Sequence, residues 1–142
     1  MKVVILKNEL ANSAKRWEVS CKNIGLDYKI VDLTAFDWQE KILHFKPDIL
    51  LLKPPGLTAA YKELYDERLR ILVEEHQLFC YPSLKEVMIY ENKRYLSYWL
   101  QSQKIAHPKT RVFYKESEAK IYCNSNISFP LVAKTNIGAS GS

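Results

Sequence analysis

Lys134 closes a short apolar run, Leu131-Val132-Ala133. Five small residues follow a few positions later: Gly138, Ala139, Ser140, Gly141 and Ser142. Glycines let backbone N–H groups approach a ligand with no side chain in the way. Successive N–H groups in such a turn form a concave anion site. The hydroxyls of Ser140 and Ser142 add donors, and the Lys134 ammonium supplies a positive charge. The chemistry this suits is the grip on a phosphate chain, which needs many donors and little bulk. Taken alone, the same glycine/serine stretch also reads as a flexible linker.

A second lysine stands at a helix start. Asn92 can cap a helix whose first residue is Lys93, 41 residues before Lys134. That helix carries Leu96, Trp99, Leu100 and Gln103 on one face. A loop, Ile105-Ala106-His107-Pro108-Lys109-Thr110, follows it. The next segments read as a strand over 111–114, a helix over 116–122 and a strand over 131–135. Other phosphate-binding and nucleophilic classes lack their signatures. The chain has no GxxxxGK[ST], and no GxGxxG follows its first strand. It also has no nucleophile-elbow motif. His44, His76 and His107 share no ligand spacing. Cys21, Cys80 and Cys123 are too far apart for a CxxC site and odd in number, so they are expected to be free thiols of a reducing cytosol.

These residues need a scaffold, and the first half of the chain supplies alternating strands and helices. Residues 2–6 form an apolar run. Leu10, Ala14, Trp17, Cys21 and Ile24 step along one helical face that Gly25 ends. A strand over 28–31 precedes a helix that Asp37 can cap and Lys46-Pro47 stops. Ile49-Leu50-Leu51-Leu52 is apolar on both faces, as a strand inside a parallel sheet must be. Pro54-Pro55-Gly56 is a loop, read as a rigid turn. A helix over 60–76 and a strand over 78–81 complete the pattern. Such alternation predicts an α/β fold: an open parallel Rossmann-like sheet with helices on both faces. From Pro82 the rhythm changes. Ser83 can cap a short helix before the one opened by Asn92, so a second unit is expected over 82–142, after a first over 1–81.

Charge divides along the same line. Residues 1–76 hold 12 Lys/Arg and 12 Asp/Glu, whereas residues 77–142 hold 9 against 4, which accounts for the whole net charge of +5. An anionic partner is therefore expected at the second half. No apolar run reaches the ~18 residues of a membrane span, and the short apolar start is a buried strand and not a signal peptide. The expected compartment is the cytoplasm, with no membrane partner.

The order of features from residue 83 on resembles the ATP-grasp family: a helix opened by Asn92-Lys93, a Pro108-x-Thr110 loop, a strand, a helix, and a strand ending in Lys134 before a glycine-rich loop. Within it the RimK-like (ribosomal-protein glutamate ligase) and D-alanine–D-alanine ligase groups are nearest. The resemblance implies that Lys93 and Lys134 reach ATP and that Gly138, Ala139, Ser140, Gly141 and Ser142 cover its phosphates. Residues 1–81 would be the preceding α/β (pre-ATP-grasp) domain, and 82–142 the beginning of an α+β ATP-grasp domain. The implied parent is a carboxylate–amine (or thiol) ligase acting through an acyl phosphate. Its partners would be ATP, a small-molecule or peptide carboxylate and an amine acceptor, with a homo-oligomer allowed. The family's magnesium-holding residues come later than Ser142, so this chain is expected to be the front part of a longer protein, with about half an ATP site, no catalytic residue and no metal ligand of its own, and no activity alone. The alternative is a small α/β binding module. In that reading Tyr90, Tyr95, Tyr98, Trp99 and Tyr122 would stack bases among Lys93, Arg94, Lys104, Arg111 and Lys115, although helical spacing favours a core role for the aromatics.

Overall fold

Four parallel strands carry the molecule: β1 (Lys2–Leu6), β2 (Asp27–Val31), β3 (Ile49–Leu52) and β4 (Cys80–Tyr81), in the order β2-β1-β3-β4. The structure is a computed structural model and describes residues 1–125 and 127–138. β1 is central, with Val4 opposite Lys29 on one side and Leu50 on the other. Val3 to Leu6 are all buried, which is why this strand reads as a continuous apolar run.

Among the described residues six α-helices join and follow the strands: α1 (Lys15–Asn23), α2 (Trp38–Phe45), α3 (Ala59–Arg70), which a π-helical turn (Ile71–Glu75) continues, α4 (Leu84–Ile89), α5 (Lys93–Ser102) and α6 (Glu116–Cys123). One sheet face is thickly covered. Val4, Leu6, Leu50 and Leu52 meet Trp38 and Ile42 of α2, Tyr65 and Leu69 of α3, and Val87 of α4. The other face, with Val3 and Ile5, packs on Ala14 and on Trp17 and Cys21 of α1. Helices therefore lie on both faces of an all-parallel sheet, as the alternation predicts.

Local chemistry sets the ends of the helices. Gly25, at φ 67°, ends α1: its N–H bonds the Lys22 carbonyl at 3.2 Å and the Leu26 N–H bonds the Cys21 carbonyl at 2.9 Å. This is the double closure that a left-handed glycine permits. The start of α1 differs from expectation. Residues 10–14 form turns because Asn8 Oδ1 accepts the Leu10 N–H (2.9 Å) and Ser13 Oγ accepts the Asn8 N–H (3.0 Å). Such side-chain bonds compete with helix formation. Asp37 stands at the N-cap of α2 without capping it; its carboxylate pairs with Lys41 at 2.8 Å instead. Ser83 does cap α4. It forms a reciprocal box in which Glu86 N–H reaches Ser83 Oγ (3.4 Å) and Glu86 Oε2 accepts the Ser83 N–H (2.8 Å).

The strands expected over 111–114 and 131–135 do not form. A strand needs a partner for its backbone and its side chains, and neither segment pairs with any described residue. Their apolar side chains face outward, with Tyr114 91% and Val132 80% exposed. Helix α6 buries none of its residues. Its Tyr122 ring meets Phe113 at 5.4 Å and the Arg111 guanidinium at 4.9 Å, a local cluster without a sheet beneath it.

Candidate functional site

The strand order reverses between β1 and β3, so the loops after those two strands flank the position where open α/β sheets bind ligands. Both loops are tied down. The Glu9 carboxylate accepts three backbone N–H bonds, from Gly56 (3.3 Å), Leu57 (3.0 Å) and Thr58 (3.2 Å), at the start of α3. Asn8 Nδ2 donates to the Lys53 carbonyl at 3.2 Å. The Pro54-Pro55-Gly56 loop is thus a braced turn, and the amides of residues 56–58 already hold an anion. Nearby, Thr34 binds Asp32 by both its amide (2.8 Å) and its hydroxyl (2.6 Å). Partial burial works against the Asp32 carboxylate, but the two Thr34 bonds and Lys7 outweigh it and hold the group below the ordinary Asp range. Burial, with the negative charges of Asp32 and Glu9, pushes the Tyr61 phenol up to about 12.

The stretch after Pro82 presents the residues that the sequence singles out. Asn92 caps α5, accepting the Tyr95 N–H at 3.2 Å. The segment around Asn136 then docks on the same helix start. Lys93 N–H donates to the Asn136 carbonyl (3.1 Å) and Arg94 N–H to Asn136 Oδ1 (2.8 Å). With Leu96 N–H on the Asn92 carbonyl (2.8 Å), the first four amides of α5 all have partners. This helix start therefore offers no open backbone donor. What it offers is the Lys93 side chain. Its ammonium lies 2.7 Å from the Gly138 carbonyl and 3.1 Å from Glu91 Oε2.

Of the residues expected at the site, Lys93 and Gly138 come together across 45 positions of sequence. Lys134 is exposed and forms no hydrogen bond or ion pair with the described residues. Ala139, Ser140, Gly141 and Ser142 lie outside the described residues.

Two features went unread in the sequence. Lys62 is 1% exposed, and its ammonium donates to both Asp66 oxygens (3.0 and 2.8 Å) and to the Val87 carbonyl (3.0 Å). Burial of Asp66 outweighs the Lys62 charge and holds this carboxyl above its ordinary range. The Lys62–Asp66 spacing of four was the available signal. Beside the pair runs a groove of about 450 Å³ between α3 and the Asn136 segment, with Arg70, Met88 and Arg94 on its walls. The second feature is the fit of Gly56 against Glu91. A Cβ on Gly56 would overlap Glu91 Cγ and stand 2.7 Å from Glu91 Cβ. No helix among the described residues is long and apolar enough to cross a membrane. Compared with protein-family models, curated proteins and solved structures, the chain matches none.

Proposed function

We propose that the chain carries the first part of the nucleotide site of an ATP-dependent carboxylate–amine (or thiol) ligase of the ATP-grasp kind. The observation that supports this reading is the Lys93–Gly138 contact. A helix-start lysine and the first glycine of the glycine/serine loop, far apart in sequence, share one hydrogen bond. A phosphate that took the place of the Gly138 carbonyl at Lys93 would gain a charge-assisted donor. Lys134, exposed at the root of the same loop, would supply a second charge.

In this reaction ATP would supply its γ-phosphoryl group to a carboxylate, with ADP leaving, to give an acyl phosphate; the amine or thiol would then attack the acyl carbon and expel inorganic phosphate, losing its proton. This chain's residues would bind and orient: Lys93 and Lys134 hold phosphate oxygens, and the loop from Gly138 to Ser142 excludes water from them. The described residues gather no group of three His, Cys, Asp or Glu side chains that could hold a metal ion. None of the roles assigned to these residues runs through magnesium.

The natural reading frame tests the proposal. A continuation of about 150–200 residues, an ordinary domain length, with an acidic magnesium motif supports it. A stop codon directly after Ser142 overturns it. In the full gene product, Lys134→Ala should weaken ATP binding by about 1.5–3 kcal/mol, the range for a hydrogen bond to a charged group. Unchanged affinity removes Lys134 from the site.

A second reading rests on one observation. Tyr90, Tyr95 and Tyr98 are 41%, 43% and 54% exposed, although helical spacing assigned the aromatics to a core. Exposed rings beside Lys93 and Arg94 suit stacking on a single-stranded nucleic acid. Titration with a single-stranded oligonucleotide at two salt concentrations tests it. Absence of binding at low salt, where phosphate contacts are strongest, overturns it.

A further inference from the structure

We propose that Glu91 is an internal counter-ion for Lys93, one that a polyphosphate displaces when it binds. The inference rests on the reading of Lys93 as a phosphate ligand.

Glu91 sits in the short turn between α4 and α5, with φ at 49°. A left-handed backbone at a residue other than glycine is unfavourable by about 1–2 kcal/mol, so the surrounding structure holds Glu91 there against its own preference. Strain of this kind collects at ligand clamps and switches. The side chain is accommodated by Gly56, whose missing Cβ leaves the space that Glu91 Cβ and Cγ fill. Gly56 is in turn fixed through its N–H on Glu9. The braced loop after β3 therefore sets the position of Glu91, and Glu91 sets the ammonium of Lys93.

The pair is only partly screened from water, with 22% of the Glu91 side chain and 32% of the Lys93 side chain exposed. An ammonium has three donors. Glu91 and the Gly138 carbonyl take two of them, and the third has no partner among the described residues. A polyphosphate approaching Lys93 would meet a positive group already neutralised by one carboxylate. It carries several negative charges and more acceptors than Glu91 does, so it can replace the carboxylate at Lys93. Repulsion would then push Glu91 away from the occupied site. Glu91 thus lowers affinity for every anion, and lowers it most for singly charged ones that cannot displace it. The pair selects for high charge.

The test measures tripolyphosphate binding to the 142-residue chain by calorimetry at low ionic strength. Glu91→Gln keeps the side-chain shape and removes the charge. It should tighten binding about two- to fivefold, the size of one partly screened charge interaction. Gly56→Ala displaces Glu91 without altering its charge and should change affinity in the same direction; it carries the test if Glu91→Gln does not fold. Neither substitution should tighten binding in a Lys93→Gln background. If Glu91→Gln and Gly56→Ala leave affinity unchanged or weaker while Lys93→Gln still weakens it, the counter-ion role is overturned and the phosphate reading of Lys93 stands. If Lys93→Gln changes nothing, or no variant binds, the reading of Lys93 fails and the counter-ion role fails with it.

Discussion

Lys62 and Val87 are joined by one hydrogen bond, from the buried ammonium to the carbonyl oxygen at 3.0 Å. It links the first turn of α3 to α4, and α4 leads directly into the turn that carries Glu91 and opens α5 at Lys93. The remaining Lys62 donors are both on Asp66. Lys62→Met should destabilise the chain by about 3–5 kcal/mol, because it leaves a buried carboxylate without its partner. Lys62→Met with Asp66→Leu should recover most of that loss, since an apolar pair of similar volume is often neutral in such a place. Urea unfolding of both single variants and the double variant measures the coupling. Additive losses would show that the pair does not act as one unit.

Asn136 fastens its segment to α5 through one side-chain acceptor. Asn136→Ala should lower stability by about 0.5–1.5 kcal/mol, the usual worth of a hydrogen bond. It should also speed hydrogen exchange at the Arg94 amide and leave the Tyr95 amide, capped by Asn92, protected. Equal acceleration at both amides would mean that the whole helix start had loosened.

Gly25 has open space where a Cβ would stand, so only its left-handed backbone restricts it. Gly25→Ala should destabilise by about 1–2 kcal/mol. Gly25→Asn should cost less, because asparagine tolerates that conformation. Thermal melts of the two variants rank them, and an equal loss would count against backbone strain as the cause.

Alkaline pH should unfold the chain through its phenols and thiols. Burial raises Tyr65 well above its ordinary value and Tyr61 to about 12, and it raises the thiols of Cys21 and Cys80. Each group keeps its proton longer in the folded state than in the unfolded one. For Tyr61 the stability is fully present below about 10, the free-tyrosine value, and is lost as pH rises toward the folded value. Tyr61→Phe should flatten the decline of urea midpoint between those two pH values while the thiol contribution persists. A decline of wild-type steepness in that variant would rule Tyr61 out as a source.

Much of the parallel sheet and its helices was legible because one rule governed each part. The run of four apolar residues at 49–52 could only be an inner strand, and Gly25 could only be a stop. Ser83 and Asn92 announced two helix starts through their side chains. The stretch after residue 104 was read less well because apolar segments there matched strand patterns without a strand beside them. Phe113 and Leu131 have the right composition, but pairing is a tertiary property that composition does not carry. Lys62 was missed for the opposite reason: lysine is almost always exposed, and only its spacing from Asp66 spoke for burial. At the candidate site, the Asn92-Lys93 start and Gly138 were visible in sequence. The parts played by Gly56, Glu91 and Asn136 were not, because each depends on contacts between segments at least 35 residues apart.

The capture of Glu9 by the amides of residues 56–58 has a consequence for diffusion. A helix start at a strand end normally draws anions from solution, and here α3 has its own carboxylate in that position. Residues 1–76 also carry balanced charge. A dissolved anion therefore feels little long-range pull toward the sheet and is steered instead toward the basic residues after 77. Its rate of arrival should fall with ionic strength, whereas the approach of a neutral or zwitterionic molecule to the sheet end should be indifferent to salt. An anion and an uncharged molecule would therefore reach this chain by separate routes, without competing for the same encounter.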